Sequence, residues 1–158
     1  MIDISLRHAD MVMTPFMEEV AEHYQYEADL NSLDLTRKDQ AIYAIKKWLV
    51  EELHPHFTVN IFGRFQVKEA CRYCLTKELG WANVWLPGID GDENFKQHSM
   101  EHWKREMQKF YLLLWSELFP EDPYQPADLS QYRQRVDDNF VKFPHMPELW
   151  GEPIYKPW

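Results

Sequence analysis

Glycine, cysteine and long apolar runs are all scarce in this chain of 158 residues, and each scarcity excludes a class of protein. Five glycines are too few for the many tight turns of an all-β sandwich or barrel. Two cysteines cannot form a disulfide framework. No apolar run approaches the roughly 20 residues of a membrane span, and mean hydropathy is −0.58, so we expect no membrane-spanning segment.

Targeting signals are also missing from the first residues. The segment from Met1 to Ser5 lacks the basic and then apolar pattern of a secretory signal. It also carries no lipidation motif. Together with the low cysteine count, this indicates the cytoplasm.

Acidic and aromatic residues are present in excess. The chain has 26 acidic and 17 basic residues, a net charge of −9 and a pI near 5.2. This balance disfavours direct nucleic-acid binding, but it suits an acidic surface that meets a basic patch on a protein partner. Small acidic inhibitors, including phage-type proteins that imitate the charge of nucleic acid, share this composition. Seven Trp, eight Tyr and nine Phe provide ample material for a core and for interface anchors.

Apolar periodicity predicts an α+β fold that is predominantly α. We expect one helical domain over residues 1–140 and an extended tail over residues 141–158. The predicted helices cover residues 14–31, 36–53, 66–79, 93–119 and 130–140. Residues 57–62 and 81–86 are predicted to be two short strands, which form one small β element.

Local signals set the bounds of these predicted elements. Pro15 suits the first turn of a helix, and Thr36 with Asp39 resembles a capping box. Pro55 is expected to end the second helix and Gly63 to turn the chain. Gly80 is expected to cap the third helix.

The longest predicted helix carries an apolar stripe that should form the central core. The stripe consists of Met100, Trp103, Met107, Phe110, Tyr111, Leu114 and Leu118.

His98 to His102 has the pattern H-x-x-E-H, which resembles the inverted motif of a family of zinc hydrolases. Imidazoles four residues apart share one helix face, and the glutamate would activate a zinc-bound water. Such enzymes also need a third, distant carboxylate ligand. A helical wheel places both histidines opposite the core stripe, which favours two solvated side chains.

Cys71 and Cys74 form a C-x-x-C pair that allows two interpretations. With His98 and His102, or with His54 and His56, they would complete a Cys₂His₂ zinc site. On a helix they also join Val67 and Ala70 in one apolar stripe, where free cysteine acts as a small core residue. We favour core packing.

The segment from His54 to Val59 resembles one half of the site of 2H phosphoesterases, in which paired histidines act as acid and base. His54 and His56, with Tyr73 and Lys77, also resemble fragments of the site of rolling-circle nucleases. The alternative is a histidine-rich helix terminus, where imidazoles complement the helix dipole.

The tail from residue 141 to residue 158 combines four prolines with large aromatic residues. Proline restricts the unfolded chain, so such a segment loses little entropy when it docks on the domain or on a partner. Trp150, Tyr155 and Trp158 are the predicted partner-binding residues.

These patterns favour a non-enzymatic protein that binds another protein, of an interaction or inhibitor type, without a cofactor. The alternative is a zinc-dependent hydrolase or nuclease built on His54/His56, Cys71/Cys74 or His98/His102.

Overall fold

Helices dominate the computed structural model, which describes residues 1–79, 86–90 and 100–135. The α-helices are α1 (Leu6–Met11), α2 (Glu18–His23), α3 (Glu27–Asn31), α4 (Lys38–Ile45), α5 (Glu51–Val59), α6 (Ile61–Lys77) and α7 (Met100–Leu118). A π-helical segment, Lys46–Val50, joins α4 to α5. The predicted α+β fold with a predominance of helix is confirmed. No helix in the described ranges is long and apolar enough to cross a membrane.

Two short parallel strands form the sheet, β1 (Ile2–Ser5) and β2 (Tyr132–Arg135). Ile2 pairs with Tyr132 and Ser5 with Arg135. The Asp3 carboxylate accepts hydrogen bonds from the Arg133 guanidinium at 2.6 and 2.8 Å, and from Arg135. The sheet is therefore stabilised by the ion pairs of Asp3 with two arginines as well as by its backbone hydrogen bonds.

The sequence predicted one two-stranded β element, and the structure contains one. Its predicted first strand, at residues 57–62, was wrong. Residues 57–59 and 61–62 are helical, and residues 132–135 form β2 where a helix was predicted. Apolar residues alternate between 57 and 61, yet Phe57 is buried whereas Val59 and Ile61 are exposed. Their alternation therefore does not mark one buried face of a strand. Of the second predicted strand, only Leu86 lies within the described residues.

The helix predicted over residues 14–31 is broken into three pieces. Thr14–Phe16 is a 3-10 turn, and Met17 is extended before α2 begins. Gln25 takes a positive φ of 61° between α2 and α3. The Tyr26 hydroxyl donates to the Pro15 carbonyl at 2.7 Å, which fixes this fold-back. The predicted end of the segment at Asn31 is confirmed.

The second predicted helix begins and ends differently from the prediction. Thr36 bonds to Asp34 instead of capping the helix, and α4 begins at Lys38 without a side-chain cap. Pro55 lies inside α5 and does not end it. The helix stops only at Val59, because Asn60 leaves the helical conformation and its side chain accepts a hydrogen bond from the Gly63 N–H.

Helix α6 begins five residues earlier than predicted. Gly63 lies in its first turn, so the prediction that Gly63 turns the chain was wrong. Its end depends on Glu78, which adopts the left-handed conformation while the Leu79 N–H donates to the Cys74 carbonyl. The predicted cap, Gly80, lies outside the described residues.

Helix α7 supplies the centre of the core, as its apolar stripe predicted. The buried members of that stripe are Met107, Phe110, Tyr111, Leu114 and Leu118. Trp103 was also predicted to be central, but it is only partly buried, at the edge of the core. Its indole N–H needs a polar partner and donates to Asp90 Oδ1 at 2.6 Å. The side chain of Met100 and the predicted helix start at residue 93 lie outside the described residues.

Candidate functional site

The cysteine pair lies within the core, as the apolar stripe of α6 predicted. Cys71, Cys74, Val67 and Ala70 are all buried, and both cysteines are free thiols. Burial is the largest cause that raises the pKa of both thiols, and the charge of Asp10 raises each pKa further. Both side chains are therefore protonated at neutral pH, which is the form that neither attacks a disulfide nor binds zinc.

The histidines of the zinc alternative lie on other elements. His54 and His56 are exposed on α5, and His102 is partly buried on α7. His98 lies outside the described residues. Within the described ranges, no three or more His, Cys, Asp or Glu side chains are grouped so that they could hold a metal ion. The zinc site therefore stays a prediction.

Trp150, Tyr155 and Trp158, the predicted partner-binding residues, also lie outside the described residues. Their role stays a prediction.

A groove of about 1000 Å³ lies among the helices of the N-terminal half of the chain. One wall comes from α1, the 3-10 turn and α2, and the other comes from the π-helical segment, α5 and the first turns of α6. Half of the residues that line it are hydrophobic, among them Met11, Val20, Tyr24, Trp48, Leu53 and Val67. We call this feature the α2–α5 groove.

Stacked aromatic rings form part of the lining of the α2–α5 groove. The rings of Tyr26 and Trp48 stack with centroids 5.0 Å apart, and Tyr43 meets Trp48 edge-on at 6.0 Å. Burial is the largest cause that raises the pKa of Tyr26, followed by the charge of Glu52. A preformed aromatic wall costs little entropy when a ligand docks on it.

Met11 and Tyr24 leave apolar surface open at the α2–α5 groove. Tyr24 is 69% exposed and Met11 is 48% exposed. Single exposed apolar residues are common on proteins, but exposed aromatic and methionine side chains around a concave apolar surface are typical of a binding site.

Two acidic residues, Glu51 and Glu52, line the α2–α5 groove from α5. Helix α2, which contributes Val20 to the groove, also exposes Glu18, Glu19 and Glu22 at the protein surface. The sequence signal for an acidic surface on this part of the chain was missed, although it is plain in retrospect. Residues 8–36 contain no Lys or Arg but seven acidic residues, namely Asp10, Glu18, Glu19, Glu22, Glu27, Asp29 and Asp34.

The two cations that line the groove, Lys47 and Arg64, both have partners within the protein. The Lys47 ammonium donates to the Tyr43 hydroxyl at 3.0 Å and lies 5.2 Å from the centroid of the Trp48 ring. The hydrogen bond to Tyr43 is the largest cause that raises the pKa of Lys47, and Asp29 and Glu51 raise it further. Arg64 forms an ion pair with Glu121. Glu121 therefore balances the charge of Arg64, whereas Lys47 keeps its positive charge and offsets part of the negative charge of Glu51.

Comparison with known proteins gives no family for this arrangement. No protein-family model, no curated protein and no solved structure matches the chain.

Proposed function

We propose that this protein is a non-enzymatic binding protein, and that it holds a basic, apolar-faced segment of a partner protein in the α2–α5 groove. The observation that carries this proposal is the combination of a groove of about 1000 Å³ that exposes apolar side chains with two acidic side chains, Glu51 and Glu52, in its lining. Apolar side chains of the partner would enter the groove, and its Lys or Arg side chains would face the acids.

The apolar lining supports the affinity part of the proposal. A few buried aromatic and aliphatic anchors supply most of the binding free energy at protein interfaces. Tyr24 and Met11 are exposed at the groove, so an arriving side chain would cover apolar surface in the same groove as the Tyr26–Trp48 stack.

The acidic residues Glu51 and Glu52 in the groove support the choice of a basic partner. Surface charges act mainly on the association rate and on selectivity, because they attract a partner of opposite charge and repel one of the same charge. The net charge of −9 adds a long-range attraction in the same direction. An inhibitor that occupies the nucleic-acid-binding patch of a basic protein would be one form of this binding.

A model peptide tests the proposal directly. A fluorescein-labelled leucine–lysine amphipathic helix of about five turns should bind the full chain, whereas the matched leucine–glutamate helix should not. Fluorescence anisotropy at several salt concentrations measures both. Tyr24→Ala and Met11→Ala should each weaken binding by roughly tenfold, since they remove groove anchors.

The acidic flank is tested separately. Glu51→Gln with Glu52→Gln should slow association and flatten the salt dependence, because the charges that steer the peptide are removed. Glu101→Gln is the matched control, since Glu101 is exposed on α7 and does not line the groove. Equal affinity for the two peptides, or binding that the groove variants do not change, would contradict the proposal.

A further inference from the structure

The junction of α5 and α6 exposes four large apolar side chains within seven consecutive residues. They are Val59, Ile61, Phe62 and Phe65, with exposed fractions of 83%, 78%, 68% and 43%. The last three lie on one face of the first two turns of α6, because positions 61, 62 and 65 fall within an arc of about 100° on a helix. We call these four residues the corner patch.

Farther along α6, the chain that follows α7 packs on the same side of the helix. Lys68 and Arg72 both donate hydrogen bonds to Asp122 Oδ2, at 2.9 and 2.8 Å, and Tyr132 donates its hydroxyl proton to Glu69. In the part of the chain that the structure describes, these contacts leave the first two turns of α6 open. The corner patch is therefore an apolar surface without a cover from the described residues.

The charges around the corner patch are balanced, although the chain as a whole has a net charge of −9. Residues 53–68 contain no Asp or Glu, and they are the longest such stretch of the sequence. The two Lys or Arg residues of that stretch, Arg64 and Lys68, form ion pairs with Glu121 and Asp122 of the same chain. Two copies of this acidic chain can therefore approach each other here with less repulsion than across residues 8–36, which contain seven acids and no Lys or Arg.

The size of the corner patch also suits the association of two copies. At these exposed fractions, the four side chains present on the order of 500 Å² of apolar surface, which is near the upper limit for a soluble monomer. Two copies that cover the patch on each other would bury about 1000 Å² from these side chains alone, which is the minimum expected of a specific interface. Homodimer interfaces are also more apolar than other protein interfaces.

We propose that two copies of this chain associate through the corner patch, so that the patch of each copy lies against that of the other around a two-fold axis. A two-fold homodimer uses one self-complementary surface twice, and an apolar patch with balanced charges is self-complementary. The negative net charge of each copy still repels the other at long range, so the association strengthens as salt is added.

Sedimentation velocity of the full chain over a range of concentrations tests the proposal. The expected result is a monomer–dimer equilibrium whose dissociation constant falls as the salt concentration rises. Ile61→Ser with Phe62→Ser should raise that dissociation constant by at least about tenfold. Circular dichroism should show that this variant keeps its fold, because both side chains are exposed.

Leu112→Ser is the matched control, since Leu112 is 40% exposed on α7 and lies outside the corner patch. This variant should leave the dissociation constant unchanged. A chain that stays monomeric at every concentration, or a dimer that the Ile61 and Phe62 changes do not weaken, would overturn the proposal.

Photo-crosslinking identifies what lies against the corner patch. Replacing Phe62 by p-benzoylphenylalanine keeps an aromatic ring at this position, and a mixture of isotope-labelled and unlabelled chains separates crosslinks between copies from those within one chain. The expected result is a crosslink between copies that joins position 62 to residues 59–65. A crosslink only within one chain would show that another segment of the same chain covers the patch, and it would overturn the proposal.

The outcome is separate from that of the proposed function. None of the four corner-patch residues lines the α2–α5 groove. The expected salt dependences are also opposite, because salt weakens the attraction between the groove and a basic peptide but weakens the repulsion between two acidic copies.

Discussion

Cys71 and Cys74 show how burial decides the chemistry of a residue. Because burial raises the pKa of both thiols, we expect a thiol reagent at neutral pH to label them slowly in the native protein and quickly after denaturation in guanidinium. Leu112→Cys provides an exposed thiol as the control for reagent activity. Rapid native labelling, or unfolding of the protein by a chelator, would instead indicate a redox or metal site.

Asn60 and Gly63 form the cap at the start of α6. This cap should cancel the stabilisation that a helix usually gains when alanine replaces glycine. Alanine usually favours a helix over glycine by up to about 1 kcal/mol. At position 63, however, a Cβ would lie 2.6 Å from Asn60 Nδ2 and displace the side chain that caps α6. Losing an N-cap costs about 1 kcal/mol, so we expect Gly63→Ala to give no gain in the free energy of unfolding.

The same substitution should behave differently once the cap is gone. In an Asn60→Ala background nothing is left to displace, so Gly63→Ala should raise the free energy of unfolding by up to about 1 kcal/mol. Urea denaturation of the four chains measures the difference. An equal gain in both backgrounds would show that the cap does not contribute to the free energy of unfolding.

Among the elements, α7 is the one whose role the sequence revealed best. Its apolar residues recur at helical spacing, and that spacing alone determines which face is buried. The face of α6 that carries Glu69 and Arg72 could not be interpreted in the same way, because both residues appear solvent-facing in a sequence. In the structure, Arg72 packs on the Trp115 ring at 4.9 Å and pairs with Asp122, so tertiary contacts make a polar face an interior one.

Helix α7 also supports a quantitative comparison between its central and peripheral residues. Phe110 is almost fully buried and meets Phe16 edge-on at 5.4 Å, so Phe110→Ala should lower the free energy of unfolding by about 3–5 kcal/mol. Trp103→Ala should cost less, because the indole is only partly buried. Urea denaturation gives both values, and a larger loss at Trp103 would contradict the assignment of the core.

At the scale of the whole molecule, β1 and β2 join segments that are far apart in sequence. The hydrogen bond from Arg133 is the largest cause that lowers the pKa of Asp3, which falls from 3.8 to about 2. A lowered carboxyl pKa stabilises the folded state above about pH 4. That contribution is lost as the pH falls from about 4 toward 2, where the native carboxylate becomes protonated.

Asp3→Asn should therefore be less stable than the parent protein at pH 7 and nearly as stable near pH 2. Thermal melts between these two pH values measure the difference, which should be small because Asp3 lies at the surface. Asp39→Asn is the matched control, since Asp39 forms its ion pair with Arg37, an exposed neighbour two positions away. A difference between Asp3→Asn and the parent that stays constant with pH would contradict this role for the carboxylate.

The sheet and the groove could not be predicted, and for the same reason. Each depends on residues that only tertiary folding brings together: Ile2 lies beside Tyr132, and the groove combines Met11, Trp48 and Val67. Local signals do predict the fold class, the core face of α7 and the burial of the cysteines. The sequence also displayed the acidic segment from residue 8 to residue 36, which supplies Met11, Val20 and Tyr24 to the groove.

The pairing of β1 with β2 also sets the order in which the chain can fold. Asp3 and Arg133 are 130 positions apart, and closing a loop of that length costs on the order of 4 kcal/mol of chain entropy. At about 5–20 residues per second, a ribosome needs roughly ten seconds to deliver Arg133 after Asp3 has been made. Helices that pack on near neighbours form within that interval, whereas β1 waits with its backbone hydrogen-bonding groups unpaired. We therefore expect the sheet to be the last part of the described fold to form during synthesis, and a chain released before residue 132 would lack it.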